Sequence, residues 1–313
     1  MKQILYTALI LLATATAISC SPKPKPTTAT TYEPGTSTME RSVESTTSIS
    51  SQEEDNAMID HFWDGFDFEA EERIAEYDTT RMLYAMSMYV NIIPPHQADS
   101  LMRALIRRAS TSRDMLNYFA TLTEIVLHDP NSPHRNDEYY IPVLEEILAS
   151  PLLDKYERIA PAYDLEIARK NRIGTVANDF IYTLADGSEA HLHDIKAKYT
   201  LLMFSNPECP MCRELMGEIS SSPLLSALIQ HGVVKVLTVY PDEDIEIWRS
   251  HLNNIPSEWI RAYDKEQTLT TERLYNLNAI PALYLLNKEK RVLVKDSASI
   301  TDIERAIAER ERI

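Results

Sequence analysis

The stretch Thr200-Leu201-Leu202-Met203-Phe204-Ser205-Asn206-Pro207-Glu208-Cys209-Pro210-Met211-Cys212-Arg213-Glu214-Leu215 decides how the C-terminal half of the chain is read. Its apolar start reads as a buried strand, and a short Pro-containing turn follows. Leu215, Met216 and Ile219 then recur on one face of a helix. Two cysteines therefore fall at a strand-to-helix junction. Cys209 sits at the helix N-terminus, where free backbone N–H groups and the helix dipole stabilise a thiolate. Cys212 lies one turn inside, close enough to close a disulfide. A pair at this spacing is also compatible with a structural disulfide or with half of a zinc site. With no second cysteine pair, zinc would need distant histidines.

Working outward, Val233 to Val239 reads as a second buried strand, its β-branched residues suiting a parallel sheet covered on both faces. Ile245, Trp248 and Leu252 follow at helical spacing. Leu283 to Leu286 and Val292 to Val294 form two strands around the turn Asn287-Lys288-Glu289-Lys290, and Ile303 to Ala308 closes with a helix. Upstream, Asn178 to Leu184 turns at Asp186-Gly187 and returns through Ala190-His191-Leu192 as a hairpin. Ile280-Pro281 stands just before the third strand, and a cis peptide is cheap only before proline.

The order strand–helix–strand–helix, then hairpin and helix, resembles the thioredoxin fold, and the upstream hairpin makes the match best to its TlpA-like branch, over residues 172–313. The resemblance implies an α/β thioredoxin-like domain with a central mixed sheet flanked by helices, and a thiol–disulfide oxidoreductase with Cys209 and Cys212 as its catalytic pair. It also implies a cis Ile280–Pro281 bond packed against the disulfide. The Ile280 backbone would then pair with a substrate peptide in strand fashion, so Ile280 and Pro281 are the substrate-binding candidates. Pro210, Glu208 and Glu214 are the supporting candidates. Two positions depart from the family pattern. Glu208 stands where thioredoxins usually carry Trp, and Met203 where a buried acid helps move the proton of the second cysteine. Glu214, a bound substrate or water is left to take that role.

The direction of electron flow follows from charge. Pro210-Met211 places no positive charge between the cysteines, and Glu208 opposes ionisation of its neighbour. Arg213 and the helix dipole act the other way. The balance points to a reductant. Other chemistries fit less well. Leu202–Glu208 lacks the Pro and Thr of a peroxiredoxin, and Arg213 stands where a c-type haem site needs His. No phosphate-binding glycine loop appears among only six glycines. His191 and His193, read as pointing to one face of a strand, offer half a metal site or a surface or packing role. No cofactor and no metal are expected.

Between residues 56 and 170 the apolar pattern is helical throughout, so an all-α helical bundle is expected ahead of the thioredoxin-like part at 171–313. Met58, Ile59, Phe62 and Trp63 form one stripe; Met82, Leu83, Met86 and Val90 form another, stopped by Pro94-Pro95. Leu101, Leu105 and Ile106 mark the next helix. Thr111 or Ser112 caps a further one through Met115, Leu116, Phe119, Leu122 and Ile125. After the break at Pro130-Asn131-Ser132-Pro133, helices are expected around Tyr139–Leu148 and Tyr156–Lys170. This part resembles an uncharacterised helical domain found ahead of thioredoxin-like domains in bacterial lipoproteins. The phrases His61-Phe62-Trp63-Asp64-Gly65-Phe66-Asp67-Phe68 and Asp129-Pro130-Asn131-Ser132-Pro133-His134-Arg135-Asn136 carry that resemblance, which brings no activity with it. The Met and aromatic stripes read as core. Arg135 and Asn136 either contact a partner or stabilise their own loop.

The third cysteine has a separate explanation. Lys2, an apolar run from Ile4 to Leu12 and small residues up to Ser19 read as a signal peptide, too short to span a bilayer. Ala17-Ile18-Ser19-Cys20 resembles a bacterial lipobox, whose cleavage leaves Cys20 lipidated; an ordinary secretory signal is the alternative. Several acyl chains hold a protein at a membrane where one alone is marginal. Residues 20–55, rich in Thr, Ser and Pro, read as a disordered tether.

Net charge is −16, and the run from Glu53 to Asp78 has only Arg73 as counter-charge, so nucleic-acid binding is excluded. The expectation is a lipid-anchored protein of a bacterial cell envelope, facing the periplasm and touching the membrane through its lipid alone. It would reduce disulfides of exported proteins and be reset by a membrane electron donor. The competing reading is a ligand- or partner-binding envelope lipoprotein, its thioredoxin fold a scaffold or redox switch.

Overall fold

The computed structural model describes residues 57–311; the expected signal peptide, Cys20 and the tether lie outside the described residues. Three helices of the first half begin at a short polar side chain that caps them. Helix α1 (Thr79–Ile92) starts at Asp78, whose carboxylate accepts the Arg81 N–H at 3.2 Å, and ends ahead of Pro94-Pro95. Helix α2 spans Ala98–Ala109. Of the two expected caps for α3 (Arg113–Leu127) it is Ser112 that accepts, from Met115 N–H at 3.2 Å. Thr111 instead donates its hydroxyl to the Phe68 carbonyl. Helix α4 (Asp137–Ala149) is capped by Asn136, and α5 runs Ile159–Ala168.

The expected stripes meet in one core that includes Met86, Val90, Leu105, Ile106, Met115, Leu116, Phe119 and Leu122. Trp63, Phe66 and Phe68 pack around the ring of Phe119. Two expectations shift. Only residues 57–60 of the first stripe are helical, and Met58 is exposed while Ile59 and Trp63 are buried. The last helix starts at Ile159 rather than Tyr156. Asp154 accepts the N–H groups of Tyr156 and Glu157 and holds that segment as a turn.

The second half is one seven-stranded mixed sheet in the order β2-β1-β5-β4-β3-β6-β7. In chain order its elements are β1 (Ile181–Leu184), β2 (Glu189–His191), β3 (Tyr199–Phe204), α6 (Pro210–Ser221), α7 (Pro223–Gln230), β4 (Val234–Tyr240), α8 (Ile245–Ser250), β5 (Ile260–Tyr263), α9 (Thr268–Thr271), β6 (Ala282–Asn287), β7 (Val292–Ser297) and α10 (Ile300–Glu311). The thioredoxin-like class is as expected, with β3 parallel to β4 and antiparallel to β6. All six residues of β3 are buried, because successive side chains enter two separate cores. Leu201 and Met203 pack with Cys212, Leu215 and Ile303, whereas Leu202 and Phe204 pack with Val239, Tyr275 and Tyr284.

Three elements were not anticipated. Helix α7 restarts after α6 because Ser222 caps it, accepting from Leu225 N–H at 3.0 Å. Strand β5 pairs parallel to β4 and antiparallel to β1, so it is the piece that joins the hairpin to the central sheet. The single turn α9 follows Gln267, which sits at φ 56.

The helices and the sheet belong to one compact unit, Asp55–Ile313. Arg135, read from sequence as a partner contact or a loop brace, forms an ion pair with Asp296 of β7. Lys295 Nζ reaches Asp137 Oδ2 and the Ala168 carbonyl, both at 2.7 Å. Asn171 adds a bond from Nδ2 to the Leu274 carbonyl at 2.8 Å. Burial pushes the Asp296 carboxyl up to about 6, outweighing the neighbouring Arg135 guanidinium.

Candidate active site

Strand β3 delivers the chain through the core to Ser205, whose hydroxyl meets that of Thr238 at 2.9 Å. Asn206 then organises the turn. Its Oδ1 accepts the Glu208 N–H at 2.8 Å, its carbonyl accepts the Cys209 N–H at 3.0 Å, and its Nδ2 donates to Asp242 at 2.7 Å. Cys209 becomes the N-cap of α6, and Pro210 takes the first helical position, where a missing N–H costs nothing.

The two sulfurs are placed differently. Cys209 is half-buried, and its Sγ accepts the Cys212 N–H at 3.3 Å. Cys212 is 0% exposed. Both are free thiols. Burial, aided by the hydrogen bond from Cys209, pushes the Cys212 thiol up to about 12, while the Asn206 backbone N–H and the Arg213 charge pull the other way. The Ile280–Pro281 bond is cis, and the Cys209 thiol faces the Ile280 carbonyl at 3.9 Å. The fold thus brings Cys209, Cys212 and Ile280 to one place across a long stretch of sequence.

The supporting candidates fare less evenly. Pro210 and Glu208 are exposed beside Cys209. Glu214 is exposed as well and sits two residues beyond Cys212, about 200° around the helix. Cys209, Asn206 and Arg213 act on the Cys212 thiol. Met203 is fully buried in the same core as Cys212. Arg213, weighed from sequence only for its charge, also braces the turn by donating to the Pro207 carbonyl at 2.9 Å. The role of Asn206 was missed, although an Asn-Pro pair ahead of a helix is a turn signal.

His191 and His193 do not share a strand face. Strand β2 ends at His191, which pairs with Asp179 at 2.8 Å, while His193 lies in a following helical turn and meets the Ala177 carbonyl at 2.9 Å. Among the described residues no group of three or more His, Cys, Asp or Glu side chains is arranged to hold a metal ion.

Similarity to known proteins covers both halves. Residues 197–292 match a family described as thioredoxin-like, and residues 19–171 match a domain of unknown function, DUF5106. A thioredoxin-like protein from Bacteroides caccae is 38% identical, covering 90% of this chain and 99% of its own, with a TM-score of 0.76. The C-terminal domain of an uncharacterized protein from Bacteroides fragilis is 41% identical over 44% of this chain and 98% of its own, with a TM-score of 0.43. The thioredoxin domain of a thiol-disulfide oxidoreductase from Bacteroides vulgatus is 21% identical over 44% of this chain and 97% of its own, with a TM-score of 0.39. No curated protein matches the chain. Since the Bacteroides caccae relative is spanned almost end to end at that identity, and residues 197–292 match the thioredoxin-like family, the chain belongs to the thioredoxin-like proteins.

Proposed function

We propose that this protein is a thiol–disulfide oxidoreductase that reduces disulfides of exported proteins, held at a bacterial envelope membrane by lipid on Cys20. The observation that carries the reading is the asymmetry of the pair. Cys209 is partly open to solvent with a backbone N–H aimed at its sulfur, and Cys212 is buried directly behind it. An exposed thiolate is the nucleophile that disulfide exchange requires. A buried thiol held back from ionisation suits the slower, resolving role.

Cys209 thiolate attacks one sulfur of the substrate disulfide, forming a mixed disulfide and releasing the first substrate thiolate. Cys212 then loses its proton and attacks Cys209 Sγ, releasing the second substrate thiolate and closing Cys209–Cys212. Two electrons pass from the pair to the substrate, and the two thiol protons end on the released thiolates by way of solvent. The Ile280 carbonyl, facing the attacking sulfur, suits a strand-like pairing with the substrate backbone. A membrane electron donor with a dithiol would return the pair to its reduced form.

The test is the reduction potential of the pair, measured by equilibration in graded thiol buffers, alongside insulin reduction. A single two-electron transition below about −240 mV with insulin turnover is the expected result. A value above about −180 mV would replace reductase by oxidase or isomerase. Cysteines that fail to titrate as a pair would overturn the enzyme reading and leave a binding protein built on a thioredoxin scaffold.

A further inference from the structure

A groove of about 220 Å³ opens beside the cysteine turn, between α6 and the segment that follows α8. Pro207, Met216 and Ile255 supply its apolar wall, Gly217 is part of the lining, and Arg213, His251, Ser220 and Asn254 contribute polar groups. Arg213 gives one guanidinium nitrogen to the Pro207 carbonyl and makes no ion pair among the described residues, so most of its donors remain free. His251 uses Nδ1 on the Ile247 carbonyl and on Ser250, which leaves Nε2 without a protein partner. A Cβ added at Gly217 would meet nothing within 4 Å, so the floor of the groove is open.

We propose that this groove is a subsite for a carboxylate-bearing side chain of the substrate protein, a glutamate or aspartate flanking the disulfide. The inference rests on the redox reading above and names the substrate feature that the same site selects. An apolar wall takes the methylene stem, and an unpaired guanidinium in a planar fork takes the carboxylate. The wider surface works in the opposite sense, since a net charge of −16 repels acidic partners at long range. Preference for an acidic residue therefore has to come from a short-range contact of this kind. Pro207 precedes Cys209 by two residues and Arg213 follows it by one helical turn. A residue held there would lie about two to four positions from the substrate cysteine along an extended chain.

The experiment uses the complete chain and three synthetic disulfide peptides, identical except for Glu, Leu or Lys three positions from the cysteine. Hydroxyethyl disulfide, too small to reach the groove, serves as the reference substrate. The Glu peptide should exceed the Leu peptide about tenfold in kcat/KM relative to that reference, with Lys lowest. Gly217→Glu, which places a carboxylate in the open floor, should move the order toward Lys. Equal rates for the three peptides, or a preference for Leu, would overturn the subsite while peptide turnover keeps the redox reading intact. Failure to reduce hydroxyethyl disulfide and all three peptides would remove the redox reading and the subsite together.

Discussion

At the cysteine pair nearly every partner is a neighbour in sequence. Asn206, Pro207, Cys212 and Arg213 all lie within four residues of Cys209, while the Ile280 carbonyl and Asp242 arrive from afar. The ion cluster where the helices meet the sheet is built the other way. Arg135 and Asp296 are 161 residues apart, so no local spacing in the sequence betrays the pairing. Their side chains are 16% and 6% exposed, against a Cys209 that solvent reaches. The local site is poised for chemistry and tolerates exposure. The distant one is buried, and its desolvation cost exceeds what the ion pair returns, so its effect is on architecture rather than net stability.

The contrast can be broken most sharply at the sulfurs. Cys209→Ser should lower insulin reduction by about a thousandfold or more, since the thiol that remains, Cys212, is buried and held back from ionisation. Cys212→Ser should also stop turnover, but with substrate trapped as a mixed disulfide visible on non-reducing gels. Trapping by the Cys209→Ser variant instead would reverse the assigned roles. At the ion cluster, Arg135→Ala strands a buried carboxylate and should cost about 4 kcal/mol in urea denaturation. A loss below 1 kcal/mol would mean that the cluster is solvated in solution.

A pH series sharpens the same comparison. The Asp296 carboxyl sits at about 6 in the fold against 3.8 for the free side chain. A raised acid is stabilised by folding in its protonated form. Its contribution is complete below 3.8 and is lost as pH rises through 6. Stability should therefore fall by about 2 kcal/mol from this residue between pH 4 and 7, and Asp296→Asn should flatten that dependence. An unchanged slope in the variant would assign the dependence to other groups. The smallest effect is expected at Gly217→Ala in α6. An added methyl meets no neighbour there and should stabilise the helix by about 0.5–1 kcal/mol, read as a rise in Tm.

Much of the molecule was legible residue by residue. The apolar run of β3, the proline after Cys209 and the stripe of α6 each obey a local rule, so the site appeared as soon as the periodicity changed. The helix cap Ser112, offered in the sequence together with Thr111, is equally local. Strand β5 escaped for the opposite reason. Ile260-Arg261-Ala262-Tyr263 carries one fully buried residue and little alternation, and it is a strand only because β4 and β1 offer their edges to it. Glu214 was a reasonable proton carrier by proximity in sequence, and the helix turns it to the exposed side.

The sequence by itself determined where chemistry is possible, because a thiol pair at a strand-to-helix junction is specified within about a dozen residues by turn geometry and helix periodicity. It also determined that most of the first half is helical, since its later stripes hold the 3.6 period. Only the tertiary structure decided that Cys209 and not Cys212 faces solvent, that Ile280 stands opposite its sulfur, and that Arg135 meets Asp296. Those facts depend on contacts between residues far apart in the chain, and burial and ion pairing at such range have no periodic signature for a sequence to display.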